Sequence, residues 1–311
     1  MNYRAILTAT LQASGLYVAG FVIPILGQMV MLFAPVPFII AYIRGNRQEG
    51  LAAIGLSSVL MLVLLGWQSA ALLFLSFGLM AIGIAEAMLR RARPENAVLI
   101  GGFLPIAALG TALAGYFVRL NKGPVEVIEK YLHDSINEAV KLYTSLGLHE
   151  LATSVSSASD AFVHTLVQLL PGILISTFLM QAACCYGLAS VLIARKQGTQ
   201  PPMTLAQWHA PDVWVWGLIA SLTAVVADIM FPNEMIRIAG WNLAIIFGVI
   251  YTCQGIAIVD HYFRKAGLPT IARTLLHALI IALPIVVCVT ALGVVDIWAD
   301  FRKLRGPAKT A

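Results

Sequence analysis

Charged side chains are scarce in this sequence. Asp, Glu, Lys and Arg make up 11% of its 311 residues, whereas soluble domains carry about a quarter. The apolar residues are gathered into runs of roughly 16 to 25 instead of forming one face of each helix. Because lipid offers no partner for backbone polar groups, runs of this kind cross a membrane as helices. The shortage of charge therefore excludes a water-soluble fold, and a mean hydropathy of +0.86 agrees with this conclusion.

Cysteine is also scarce, and its pattern excludes two kinds of site. The chain has 4 Cys, and all lie in apolar runs: Cys184, Cys185, Cys253 and Cys288. No Cys-x-x-Cys or Cys/His spacing is present, so neither a disulfide framework nor a metal centre is expected. We interpret these thiols as packing residues, and we expect no metal and no cofactor.

Catalytic and nucleotide-binding motifs are missing as well. The sequence has no Walker motif, no Gly-x-Ser-x-Gly elbow, no His-Glu-x-x-His and no paired carboxylate constellation. We therefore expect neither an enzyme nor a chain that hydrolyses ATP itself. The net charge of +5 does not indicate nucleic-acid binding, because the basic residues form small clusters and no basic face with interleaved aromatic residues is present.

Apolar segments long enough to be membrane helices are abundant. The predicted spans are 5–23, 29–43, 51–66, 70–89, 97–117, 162–194, 212–230, 236–263 and 274–295. They predict an all-α polytopic transmembrane helical bundle of eight or nine spans, with residues 1–311 forming a single integral membrane domain. The count stays open because the short second span contains Pro35 and Pro37 and because the tail charges do not fit nine crossings.

The loop charges predict how the bundle is oriented. Cytoplasmic loops are enriched in Lys and Arg. With the N-terminus inside, the cytoplasmic side holds Arg4, Arg44, Arg47, Arg90, Arg91, Arg93, Arg195, Lys196, Arg264, Lys265 and Arg273. The tail carries Arg302, Lys303, Arg305 and Lys309. These charges lie on the cytoplasmic side only if the last segment fails to cross or an earlier one is re-entrant. The pattern indicates a multi-pass protein of the bacterial cytoplasmic (inner) membrane, in direct contact with the lipid bilayer.

One segment between the fifth and sixth spans differs from the rest. Residues 118–161 hold both acids and bases, and apolar residues recur there near helical spacing. Pro124 suits the first position of a helix and Gly147 its end. We predict an external amphipathic helix followed by a Ser-rich stretch. It is either an interfacial connector or a lid over an outward-facing site.

Five polar or amphipathic residues near the outer ends of two spans form a candidate binding site. They are His164, Gln168, Arg237, Trp241 and Asn242. His164 and Gln168 share one helix face because they are four residues apart. Donors, acceptors and an aromatic wall are what a shallow pocket for a polar solute requires. The alternative is that these residues cap helices and anchor them at the interface.

A second polar stripe runs toward the cytoplasmic end of the eighth span. Tyr251, Gln254 and His261 recur near helical spacing. Hydrogen bonding between helices explains such a stripe, at roughly 1 kcal/mol for each contact. We therefore interpret it as a packing face.

Several motifs in the second half of the chain carry a resemblance to a known family. They are Leu169-Leu170-Pro171 and the run onward to Arg195-Lys196, Trp208-His209-Ala210-Pro211-Asp212-Val213-Trp214, Gly240-Trp241-Asn242, and Tyr251-Thr252-Cys253-Gln254-Gly255-Ile256-Ala257. Together they resemble the YybS-type predicted bacterial membrane proteins, a family of unknown function. That family is distantly similar to the S components of energy-coupling-factor (ECF) vitamin transporters.

This resemblance implies a transport role and a set of partners. S components capture a vitamin or metal ion from outside, and a transmembrane T component with two ATPases drives its release inside. An Ala-xxx-Ala motif on their first helix lets the T component approach closely. Ala5 and Ala9 match that motif here, and Ala13 extends the row. Rows of small residues also pack against helices of the same chain, and that alternative stays open.

Two functions remain as hypotheses from the sequence. The first is a transport component resembling an S component, which captures a small polar solute from the outer side. The second is a non-transport membrane scaffold of the cell envelope, whose outer helix and cytoplasmic loops bind partner proteins.

Overall fold

The computed structural model describes residues 2–24, 26–199, 205–269, 272–273, 276–277, 279–280 and 284–303. The described residues form helices and no β-strand, which confirms the predicted all-α polytopic bundle. The helices are α1 (Tyr3–Val22), α2 (Leu26–Met31), α3 (Pro35–Arg44), α4 (Arg47–Leu65), α5 (Trp67–Leu72), α6 (Leu79–Leu89), α7 (Pro94–Leu120), α8 (Pro124–Ser145), α9 (His149–Gln197), α10 (Trp214–Met230), α11 (Glu234–Lys265) and α12 (Val286–Ala299). A π-helical turn at Leu73–Gly78 joins α5 to α6, and a short 3-10 helix occupies Leu205–Gln207.

In the part of the chain that the structure describes, seven segments are long and apolar enough to cross a membrane. They are α1, α2 with α3, α4, α5 with α6, α7, α9 and α11. The apolar helices α10 and α12 are shorter, with 17 and 14 residues. At 1.5 Å per residue they reach about 25 Å and 21 Å, against about 30 Å of hydrocarbon. The described part of α12 alone is shorter than this thickness.

The second span is broken in the middle, where Pro35 and Pro37 occur. α2 ends at Met31 and α3 begins at Pro35. Proline suits the first position of a helix, because the backbone N–H that it lacks would have no partner within the helix there. The break leaves the Leu32 carbonyl outside both helices. It accepts hydrogen bonds from Gln181 Nε2 at 3.1 Å and Cys185 Sγ at 3.2 Å. Side chains of α9 therefore supply the partners that lipid cannot.

The helix α9 is the longest element and lies between the two halves of the bundle. It packs on α3 and α7 on one side and on α11 on the other. Its 49 residues extend about 73 Å, more than twice the hydrocarbon thickness. The Ser-rich stretch belongs to this helix, and hydroxyls such as those of Ser154 and Ser157 donate to carbonyls of the preceding turn.

The predicted external segment forms a helical hairpin. α8 packs along the N-terminal part of α9, where His133 lies 3.8 Å from Asp160. All residues of α8 are described and none of them is buried. The segment is thus two helices joined by a short turn. Its location outside the membrane remains a prediction from its charge.

Contacts between helix ends bring the cationic loops to one end of the bundle. The Asn2 N–H donates to Glu49 Oε1 at 2.7 Å, and Arg47 pairs with Glu86 at 2.7 Å. These contacts join the starts of α1 and α4 to the end of α6. We call this the cationic end, and the opposite end, which carries α8, the hairpin end.

The helices of the second half follow the same arrangement. α9 starts at the hairpin end and therefore finishes at the cationic end. α11 runs in the same direction, because Gly172 of α9 meets Asn242 and Met180 meets Cys253 further along both helices. α10 packs on α11 and runs the opposite way, since Gly217 lies against Phe247 and Ala224 against Gly240. The cationic loops were predicted to lie at the same end of the bundle, and their described residues do so.

The tail also returns to the cationic end. Tyr262, near the end of α11, donates to the Phe301 carbonyl at 3.1 Å. Arg302 donates to the carbonyl of Trp208, in the link between α9 and α10, at 2.7 Å. Arg273, which follows α11, also lies there, 3.0 Å from Asp260. The described residues on both sides of the last apolar segment therefore lie at the cationic end, which favours eight crossings over nine. The predicted span 274–295 lies partly outside the described residues, as do Arg305 and Lys309 of the tail.

Candidate functional site

A polar cluster lies between α9 and α11 at the hairpin end. Gln168 Nε2 donates to Glu234 Oε1 at 3.1 Å, and Gln168 Oε1 accepts from Arg237 Nη2 at 3.4 Å. His164 Nε2 lies 3.3 Å from Gln168 Nε2. Arg237 and Glu234 approach to 3.9 Å, and both side chains remain substantially exposed. We call these four residues the outer cluster.

The structure thus brings together three of the five predicted residues and adds a fourth. Glu234 was not part of the predicted site, although it precedes Arg237 by three residues, a spacing that pairs side chains on one helix face. This spacing does not single out Glu234 in the sequence, because acidic residues are common in the first turn of any helix.

Asn242 lies beside the outer cluster but its amide is already occupied. Its Nδ2 donates to the carbonyls of Gln168 and Ile238, each at 2.7 Å. Its Oδ1 accepts from the Gly172 N–H at 2.5 Å. Gln168 and Gly172 are four apart on α9 and flank Pro171. Asn242 therefore bridges two backbone groups of α9, which gives it a structural role between the helices.

Trp241 is placed apart from these contacts. Its side chain is 48% exposed on the surface of α11, and the hydrogen bonds of the described residues do not join it to the outer cluster. This position suits an indole at a membrane interface. The aromatic wall expected from the sequence is not part of the cluster.

The alanine row of α1 faces the interior of the chain. Ala9 is 5% exposed and Ala13 0%, whereas Ala5 is partly exposed. α1 packs on α2, α3 and α4, and Thr10 Oγ1 donates to the Ala53 carbonyl at 3.4 Å. This placement favours packing within the chain, the alternative that the sequence left open. Ala5 alone is positioned where another subunit could touch it without rearrangement.

An apolar groove of about 740 Å³ lies elsewhere, along the last turns of α7 and the start of α8. Its lining includes Leu113, Phe117 and Val118, with Asn121 and Lys122 at one end. Lys122 is paired with Glu126 at 2.9 Å. None of the predicted site residues lines this groove.

The match to a protein family covers most of the chain. Residues 13–297 match the family described as predicted membrane protein (DUF2232). The chain belongs to this family. The matched region of this DUF2232 protein includes the outer cluster, Asn242 and Ala13, whereas Ala5 and Ala9 precede it. Comparisons with curated proteins and with solved structures give no match. Membership agrees with the multi-pass fold and assigns no activity.

Proposed function

We propose that this DUF2232 protein is a membrane transport component that captures a small polar solute at the hairpin end, in the manner of an S component. The outer cluster is the observation that carries the proposal. It places a carboxylate, a guanidinium, an amide and an imidazole within hydrogen-bond reach of one another, with exposure left for a solute.

The cluster favours a solute that carries both donors and acceptors. Gln168 directs its amide N–H toward Glu234 and its carbonyl toward Arg237. A solute that approaches the same two charges meets an acceptor and a donor side by side. Amides, ureides and zwitterions present that pattern, whereas a purely anionic or apolar solute satisfies one charge or none.

The resemblance to S components suggests a coupling subunit with ATPases as partner. Such a subunit would dock at the cationic end, which the charge rule assigns to the cytoplasm. Because Ala9 and Ala13 are buried in this chain, we place the docking contact around Ala5 and the adjoining loops. The protein itself then supplies capture and no catalysis.

A binding screen tests the proposal. Purified protein is heated with vitamins, nucleobases, amino acids and metal ions, and any solute that raises the unfolding temperature is followed by equilibrium binding. Arg237→Gln and Glu234→Gln should each weaken binding about ten- to hundred-fold, since a hydrogen bond to a charged group contributes about 1.5–3 kcal/mol. Arg119→Gln, an exposed cation at the end of α7, is the matched control. If hits bind all three variants equally well, the outer cluster is not the site.

The scaffold hypothesis is favoured by one other observation. α8 has apolar side chains on its outer face, including Tyr131 at 71% exposure, that no described residue covers. A partner protein at the hairpin would cover them. Cross-linking through Tyr131→Cys in intact cells tests this alternative. Recovery of one defined envelope protein would support the scaffold, whereas recovery of ATPases at the cationic end would support transport.

A further inference from the structure

Both helices of the hairpin expose large apolar side chains. On α8 they are Tyr131 and Leu142, at 71% and 57% exposure, and on α9 they are Leu151 and Phe162, at 52% and 57%. In each helix the two residues are 11 positions apart. That spacing is three turns and about 20°, so the two side chains share one face of their helix. Each helix therefore presents an apolar row.

The two rows lie at matching heights along the hairpin. His133 Nδ1 lies 3.8 Å from Asp160 Oδ1, and this contact fixes which residues of the antiparallel helices lie opposite each other. Tyr131 and Phe162 are each two positions from this pair toward the base of the hairpin. The two leucines are each nine positions from it toward the tip. The hairpin thus has a lower level with two aromatic side chains and an upper level with two leucines.

Both rows also lie on the same side of the hairpin. In α9 each residue of the row directly precedes a buried residue, Ala152 or Val163. In α8 each directly precedes a partly buried one, Leu132 or Tyr143. One position is a rotation of 100° about a helix axis. Because α8 and α9 are antiparallel, equal rotations away from their mutual contact point to the same side. We call the four exposed side chains of the two rows the apolar face of the hairpin.

The α9 part of the apolar face carries no charge. Residues 151–159 consist only of Leu, Ala, Thr, Val and Ser. A helix surface that faces water usually carries charged or strongly polar residues. On α8 the charged residues, such as Asp134 and Lys141, are exposed beside the row. No charge on α9 therefore opposes the approach of another helix to this face.

The bilayer does not reach the upper level of the apolar face. Leu142 and Leu151 lie 11 positions, or about 16 Å, beyond the lower level. The predicted membrane span of α9 begins at residue 162, and the headgroup layer beyond the hydrocarbon is only about 5–8 Å thick. α9 is one continuous helix from His149 to Gln197, so the hairpin extends the transmembrane helix and does not lie on the surface. The upper level is left for a protein to cover.

We propose that the apolar face pairs with the same face of a second copy of this chain, so that two hairpins form a four-helix bundle outside the membrane. Copies in one membrane share their orientation, and a two-fold axis between them is parallel to the membrane normal. Such an axis keeps each residue at its own height and places α8 of one copy against α9 of the other. Tyr131 then meets Phe162 of the second copy, and Leu142 meets its Leu151.

This pairing repeats a contact that the chain already makes. Within one copy, α8 packs antiparallel along one side of α9. In the pair, α8 of the second copy packs antiparallel along another side of α9 at the same heights, as in an up-down-up-down bundle. Complete cover of the apolar face in both copies removes on the order of 1,000 Å² from water, the lower limit for a specific interface. The inference goes beyond both proposed functions and depends on neither.

Cross-linking of two differently tagged forms tests the pairing in membranes. One form carries Leu142→Cys and the other Leu151→Cys, both without the four native thiols, and the two are co-expressed. A short bifunctional thiol reagent should join them into a mixed dimer. Asn137→Cys with Ser157→Cys is the matched control, because these exposed residues lie at nearly equal height on the opposite side of the hairpin. The test pair should give at least about tenfold more mixed dimer, since contact raises the effective concentration of the two thiols.

A second pair of variants keeps the result decisive. Each form is first checked for a monodisperse elution profile in detergent. If a leucine variant does not fold, Tyr131→Cys with Phe162→Cys, at the lower level, is read in the same way. A folded test pair that gives no more mixed dimer than the control overturns the pairing. Cross-linking of these thiols to a different envelope protein also overturns it and assigns the face to a scaffold partner. The outcome of the solute screen changes neither result.

Discussion

The carboxamide of Asn242 completes the backbone hydrogen bonding of a neighbouring helix. It contacts the Gln168 carbonyl and the Gly172 N–H on either side of Pro171. Proline lacks an N–H and disturbs the preceding turn, so a kinked helix in lipid needs substitute partners. Asn242 provides them from α11, and a ligand has no free donor of this amide to use.

Asn242→Ala should therefore lower the free energy of unfolding more than substitution of a solute-binding residue would. We expect a loss of about 1–3 kcal/mol, because two buried backbone groups lose their partner. Thermal unfolding of the purified protein measures it. Trp241→Phe, on the adjacent exposed position, is the control and should change little. Equal unfolding temperatures for the two variants would remove the structural role of Asn242.

Ala13 offers a second test at the residue scale. Its methyl group is fully buried against helices of the same chain, so Ala13→Leu should overpack the contact at a cost of about 1–3 kcal/mol. Gly15→Ala is the matched control, because a Cβ there meets nothing within 4 Å. If the Ala13→Leu protein unfolds at the same temperature as the parent but no longer co-purifies with a second subunit, the alanine row of α1 contacts a partner protein instead.

Residue spacing predicted part of the outer cluster and could not predict the rest. The i,i+4 relation of His164 and Gln168 follows from helix geometry. The position of Arg237 beside them depends on which helices pack together, and spacing within one span carries no information on that. The same limit applies to Arg302, which looks like a solvated tail charge in the sequence and is buried in the fold.

At the scale of the elements, glycine pairs set how closely helices approach. Gly255 of α11 and Gly293 of α12 face each other, and a Cβ at Gly293 would lie 2.8 Å from the Gly255 nitrogen. Small residues at helix contacts permit this approach in membranes. The tight contact keeps α12 on α11 and so positions Asp296 beside Gln254 and Arg302.

Gly293→Ala should separate these helices. The added methyl group has no space, so we expect a destabilisation of about 1–3 kcal/mol, measured as a lower unfolding temperature. Gly248→Ala lies on α11 where a Cβ meets nothing within 4 Å, and it should be neutral. A Gly293→Ala protein as stable as the Gly248→Ala protein would contradict the close packing of α12.

The helices themselves follow from the sequence more directly than their breaks do. Long apolar runs form helices in lipid, and the first eight predicted spans coincide with described helices, whereas the ninth, 274–295, lies partly outside the described residues. The Ser-rich stretch was predicted only to follow the external helix, whereas in the structure it forms part of α9. α8 packs along α9, and Ala152 of this stretch is buried. Local composition did not reveal that tertiary contact.

At the scale of the whole molecule, the two ends of the bundle differ in structure. The hairpin end carries the exposed outer cluster, and the cationic end carries the buried ion pair of Arg302 and Asp296. Polar side chains are therefore exposed between α9 and α11 at one end, whereas these two charges are buried at the other. The proposed capture of a solute from outside requires that the hairpin end face outward.

The side of the membrane on which each end lies is therefore the central claim. Single cysteines at Ser145, Gln197 and Lys303, each in a background without the four native thiols, report it through a membrane-impermeant maleimide. In intact cells the thiol at 145 should label, and those at 197 and 303 should label only after the membrane is opened. Labelling of the thiol at 303 in intact cells would show that the chain crosses the membrane nine times. If the thiol at 145 does not label in intact cells, the bundle has the opposite orientation and the outer cluster faces the cytoplasm. This result would contradict capture from outside.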